Sequence, residues 1–188
     1  VDHQQPSKIK TYLKSFNFYN VVSFYIVWYL CILGASFHFE RSAVLISAGL
    51  VSIHYYFSKT KKIDLFYLLI FIFIGFFVDR LFLSFSVLAY PKETLIWNIK
   101  GVPLWILMLY VGFSTTMNHS LLFISKRPLA SFIFGGIGGA ACYQLAAFRG
   151  VVDFPLGLLS LAIIGFYWGI FMAFSKPFQK VIKSFLPK

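Results

Sequence analysis

Six apolar stretches, separated by short polar or basic loops, govern what this chain can become. They run over residues 16–37, 42–57, 63–90, 102–124, 128–148 and 156–175. About 20 apolar residues cross a bilayer as a helix, because in hydrocarbon a backbone must satisfy its own hydrogen bonds. Composition leaves these stretches no other solvent. Of 188 residues, 59% are hydrophobic and only 12% charged, against about 45–50% and 25% in a soluble domain. The expected fold is all-α: one integral membrane domain, a polytopic bundle of six transmembrane helices.

Lysine and arginine orient that bundle. Lys8, Lys10 and Lys14 precede the first stretch; Lys59, Lys61 and Lys62 follow the second. Lys126 and Arg127 follow the fourth; Lys176, Lys180, Lys183 and Lys188 follow the sixth. The alternate loops carry only Arg41, Lys92, Lys100 and Arg149. Twelve against four, alternating loop by loop, puts both termini in the cytoplasm. The net charge of +11 is thus a matter of topology, and no nucleic-acid partner is expected. The first stretch is read as a retained span, since its apolar run exceeds the length of a signal-peptide core. The stretch after Lys176 alternates lysines with apolar residues, as an interfacial helix or a frayed basic tail would.

Cys31 and Cys142 fall inside spans and are read as packing residues. Gly135 and Gly139 are four apart in the fifth stretch, as are Gly165 and Gly169 in the sixth. Small residues at that spacing let helix backbones approach closely. The pairs serve contact between spans five and six, a homo-oligomer interface or a ligand groove.

Function is sought first in the polar run Ser114-Thr115-Thr116-Met117-Asn118-His119-Ser120, which interrupts the fourth stretch. Polar groups at membrane depth must face protein, a cavity or the interface. Counting from the neighbouring lysines, His119 lies roughly 10 Å and His54 roughly 7 Å from the inner end. With Asn17 and Asn20 they are expected to share an inner polar cluster. Trp105, Met108, Gly112, Thr115 or Thr116, and His119 recur at helical spacing, a face that is a candidate cavity lining. No metal is expected, because the two histidines lack a third ligand or a zinc-type spacing, and no cofactor is expected. Asp79 lies about 24 Å from the inner side, too far for pairing with His119; Arg149 or Arg41 is the expected ion-pair partner. Candidate catalytic residues are His119, Asn118 and Asp79. Candidate ligand-binding residues are His54, Asn118, His119, Trp105, Asp79 and Arg149. No serine-triad, phosphate-loop or paired-carboxylate pattern stands at catalytic spacing.

Trp28, Gly75-x-x-x-Asp79, Pro103-Leu104-Trp105, Asn118-His119-Ser120-Leu121 and Gly135-Gly136-Ile137-Gly138-Gly139 with Tyr143 together resemble the bacterial domain-of-unknown-function family 2878. The resemblance covers nearly the whole chain. It departs at Ala141-Cys142, where the family tends to place a proline, and at Asp64, where a glutamate is usual. It implies a small inner-membrane protein of no established activity, often encoded beside lipid-modifying methyltransferases. Membrane lipids, and a lipid-modifying enzyme, are the partners it implies. An accessory or binding role in lipid metabolism is the leading expectation. An intramembrane enzyme using His119 and a substrate-binding transport subunit are the alternatives.

Overall fold

The computed structural model describes residues 8–185, with side chains from Phe16 onward apart from Lys183 and Phe185. The side chains of Lys8, Lys10, Lys14, Lys183 and Lys188, used above for topology, lie outside the described residues. Seven helices follow one another: α1 (Lys8–Ser36), α2 (Glu40–Phe57), α3 (Lys61–Ser84), α4 (Leu104–Met117), α5 (Pro128–Phe148), α6 (Leu158–Ala173) and α7 (Ser175–Phe185). A short hairpin, β1 (Asn98–Ile99) and β2 (Val102–Pro103), precedes α4. Its turn places Lys100 and Gly101 at positive φ, the two-residue geometry that matches strand twist.

Two expected spans end early, each for a local reason. The third stops at Ser84 rather than reaching Tyr90. Ser86 takes a left-handed φ of 53°, and the amide of Val87 reaches back to the carbonyl of Phe82, closing the helix in a Schellman turn. Arg80 donates to the carbonyl of Lys100 at 2.6 Å and ties this end to the hairpin. The fourth helix stops at Met117 rather than Ile124. Its Ser114, Thr115 and Thr116 hydroxyls each bond back to the carbonyl three residues earlier, competing with the helical ladder. Residues 118–123 then run as turns. The polar run is therefore a helix terminus and not a stripe within a helix.

Eleven of the fourteen residues of α4 are buried, which makes it the central element, packed by α1, α2 and α3. A helix apolar on every side belongs in a core. The outer surface is also apolar: Phe18, Leu45, Phe73, Ile137 and Phe166 all stand exposed. Segments Phe16–Ser36, Lys61–Ser84 and Pro128–Phe148 are long and apolar enough to cross a membrane. Leu158–Ala173 with Ser175–Ile182, bent by 46°, makes a fourth if counted as one span. That measure stops short of six, because α2 carries Glu40, Arg41 and His54, and α4 has only 14 residues.

The helices α5 and α6 form a tight hairpin. A Cβ at Gly139 would strike Trp168, one at Gly135 would strike Met172, and one at Gly169 would strike Phe132. A Cβ at Gly165 would sit 3.1 Å from the carbonyl of Gly136. These glycines are thus met by side chains and backbone of the same chain. The hairpin meets the rest of the bundle through rings: Trp168 stacks on Tyr110, and Phe171 and Tyr167 pack edge-on against Phe71 and Phe82. Facing α1 it leaves a cleft.

Candidate functional site

One end of the bundle carries Lys59, Lys61, Lys62, Lys126 and Arg127, and here the chain gathers its polar side chains. Asp64, in the first turn of α3, is buried and is the hub. Its Oδ2 lies 3.0 Å from His119 Nε2 and 3.7 Å from His54 Nε2. Ser58 donates to the same oxygen. Asn118 Nδ2 donates to Oδ1 at 3.2 Å, and the Thr60 hydroxyl donates to the carboxylate at 3.2 Å. A buried carboxylate is tolerable only when surrounded by donors in this way. Phe16 covers both imidazoles, with ring centroids 5.2 Å from His54 and 5.0 Å from His119.

The network continues into α1. Asn20 Nδ2 lies 3.3 Å from His54 Nδ1 and donates to the carbonyl of Thr115 at 3.1 Å. Its Oδ1 accepts from Ser120 Oγ at 2.6 Å. Gln179 of α7 donates to Asn118 Oδ1 at 3.3 Å. With Ile182 buried and Phe178 against Tyr67, α7 folds back over this end of the bundle as an ordered helix.

Ser120 also belongs to a cleft of about 520 Å³ between α1, α4 and the α5–α6 hairpin. This volume lies in the usual range for small-molecule sites, about 300–1,000 Å³. Its walls are apolar and aromatic. It runs from Thr116, Ser120 and Phe123 at the lysine-rich end to Tyr143 and Leu145. From Phe134 to Leu145 it follows α5 for about 16 Å.

Sequence reasoning brings His54, Asn118, His119 and Asn20 together, and the structure joins them. Among the described residues, Asn17 makes no hydrogen bond into the cluster. Asp64 was missed as a site residue, with Ser58 and Thr60. A carboxylate in the first turn of a helix has an ordinary explanation in the helix dipole. Yet His54 and Asp64 each lie five residues from Lys59, at matching depths on two antiparallel helices, and that symmetry was available in the sequence. The expectation of no metal rested on the absence of a third ligand, and that ground is removed. His54, Asp64 and His119 each present one ligand atom, all within 4.8 Å of one another.

Three other expectations are corrected. Asp79 does not pair with Arg149 or Arg41. It is fully buried toward the other end of α3, where Tyr143 donates to its Oδ1 at 3.1 Å and Tyr110 lies 3.4 Å from Tyr143. The Arg149 side chain is exposed, its carbonyl accepting from Ser36, while Arg41 lies 5.9 Å from the Trp97 ring. Trp105 is buried edge-on against Tyr90, away from the cleft. The cleft face of α4 is therefore Ile106, Leu109, Tyr110, Phe113 and Thr116 with Ser120 beyond it. The expected face through Trp105, Met108 and Gly112 turns inward, with Gly112 against Val27.

Apolar spanning helices, an apolar outer surface and a polar cluster drawn inside the bundle define a multi-pass helical membrane protein. The chain belongs to the family described as "Protein of unknown function (DUF2878)", whose model matches residues 17–174. No curated protein and no solved structure matches it.

Proposed function

We propose that this protein binds a membrane lipid in the cleft beside α1 and serves lipid metabolism in the bacterial inner membrane as an accessory or binding protein. The observation that carries this reading is the cleft itself. It is apolar along about 16 Å of helix and polar at one end, where Thr116 and Ser120 line it. An acyl chain fits the walls and a polar headgroup fits that end. The reading takes the lysine-rich end as cytoplasmic, with six crossings and both termini inside. It is supported by the loop-by-loop alternation of lysine and arginine. Reporter fusions at Lys61 and Lys126 are expected to land inside; fusions landing outside sink the topology.

Gly138 tests the lipid. It lines the cleft and has open space where a side chain would stand, so Gly138→Leu fills the cleft without disturbing the α5–α6 contact. Native mass spectrometry of the purified protein is expected to find co-purifying lipid on the wild type and to lose it in Gly138→Leu. Equal lipid on both variants rejects the cleft as the site. An unchanged lipid profile in a deletion strain counts against the metabolic role.

One observation favours an intramembrane enzyme as the second reading. Asp64 lies 3.0 Å from His119 Nε2, the orienting carboxylate that a general base requires. A folded His119→Ala variant that binds lipid but no longer supports a lipid modification would select it. A pocket lined by Asp79 and Arg149 would favour the transport alternative; Asp79 is fully buried and the Arg149 side chain is exposed.

A further inference from the structure

We propose that His54, Asp64 and His119 form a site for a divalent first-row transition metal, bound through the two Nε2 atoms and Oδ2. The inference does not depend on lipid binding. It rests first on geometry. Nitrogen and oxygen ligands sit about 2.0–2.2 Å from zinc, so their mutual distances around one ion are about 3 Å. The separations from Oδ2 are 3.0 and 3.7 Å and the three ligand atoms all lie within 4.8 Å of one another, so side-chain movements of about 1–2 Å bring all three onto one ion.

The second ground is an unpartnered atom. His54 is 1% exposed and its Nε2 has no hydrogen-bond partner. It faces Asp64 Oδ2 from 3.7 Å, too far for a hydrogen bond. A buried ring nitrogen held at ion-pair distance from a carboxylate without a hydrogen bond calls for a reason. A cation between nitrogen and oxygen supplies it. The surroundings match those of a metal ligand set. The Asp64 carboxylate is already oriented through Oδ1 by Asn118 and Thr60, and Phe16 gives the site an apolar wall; outer contacts of this kind tune such sites. A metal on Nε2 leaves the His54 proton on Nδ1, which then needs an acceptor. A half-turn of the Asn20 amide offers it Oδ1 and turns Nδ2 toward Ser120, which can accept as well as donate, at the cost of the Nδ2 bond to the Thr115 carbonyl.

The donor set decides the class of metal. Two imidazoles and one carboxylate suit zinc or iron(II), whereas magnesium and calcium take oxygen ligands. Three protein ligands leave at least one coordination position open, as in catalytic rather than structural sites.

The test uses the full chain, purified in detergent and stripped with a chelator, titrated with cobalt(II) alone. The wild type is expected to bind one equivalent with visible ligand-field absorption, displaced by zinc. Asp64→Asn is expected to weaken binding at least about 100-fold. His119→Cys is expected to add a sulfur-to-cobalt charge-transfer band, which arises only if residue 119 touches the metal. Should a variant fail to fold, the wild type still decides, because saturable binding must raise its melting temperature. Absence of saturable cobalt binding to folded wild type overturns the proposal, as does binding unchanged in Asp64→Asn.

Discussion

Asp64 and Asp79 are both buried, one near each end of α3, and the molecule treats them differently. Around Asp64 stand Ser58, Thr60, Asn118 and two histidines, from the α2–α3 loop, α2 and the turns after α4. Asp79 accepts a hydrogen bond from Tyr143, and the Tyr90 hydroxyl also faces its carboxylate. The first carboxylate is a hub that several chain segments must converge on. The second is an acceptor among tyrosine hydroxyls and aromatic rings. The lysine-rich end is accordingly built for ionic chemistry, and the other end for packing.

The largest expected effect follows from that contrast. Asp64→Ala leaves buried donors on several segments without an acceptor, and breaking a buried network of this kind costs about 3–5 kcal/mol. Asp79→Asn keeps an oxygen for Tyr143 and is expected to cost about 1 kcal/mol or less. Unfolding in detergent measures both. Equal losses would break the comparison and make Asp79 a hub as well.

Next comes a contrast within α5. Gly139→Leu drives a side chain into Trp168, and such overpacking costs about 1–3 kcal/mol. Gly138→Leu meets open space and gains helix propensity, up to about 1 kcal/mol. In protein first stripped of lipid, whose loss would itself lower the melting temperature, the two variants should therefore move the melting temperature in opposite directions. If both destabilise, the cleft is closed in solution.

How far the sequence reaches is visible in the same residues. Apolar length and composition reveal the helices because hydrocarbon accepts little else. Depth counting joins His54 to His119 because helical rise is regular. Helix ends are harder. The stop at Ser84 depends on a left-handed Ser86, a tertiary choice that apolar composition does not mark. The cleft face of α4 was missed because a helix buried almost all round shows no contrast between its faces. The sequence points Asp79 toward an arginine because formal charge is legible in a sequence and a buried tyrosine hydroxyl is not. Tyr143, the partner it has, stood in the quoted glycine-rich motif without a role.

Tyr143→Phe comes next in size. It removes the Tyr143 donor to Asp79, and membrane-embedded hydrogen bonds average about 0.6 kcal/mol with a maximum of about 1.7. Ser120→Ala at the other end removes one donor to Asn20 while Asn20 keeps its contacts with Thr115, so its cost should be of similar size. A Tyr143→Phe loss well above that range would mean the bond to Asp79 organises more than its immediate neighbours.

The smallest expected effect is the sharpest check on the corrected pairing. If Asp79 were held by Arg149 as an ion pair, Arg149→Ala would strand a buried carboxylate and cost several kcal/mol, about 3–5 for such pairs. The Arg149 side chain is instead exposed, and the contact at this residue is made by its carbonyl with Ser36, which alanine keeps. Arg149→Ala should therefore stay within about 0.5 kcal/mol of wild type. In a double-mutant cycle with Asp79→Asn the two changes should add to within about 0.5 kcal/mol, as sites without shared partners do. A cycle run on Asp79→Ala and Tyr143→Phe should not add, because each removes one side of the same 3.1 Å bond. Coupling to Arg149 and not to Tyr143 would reverse the assignment, and with it the distinction between an ionic end and a packed one.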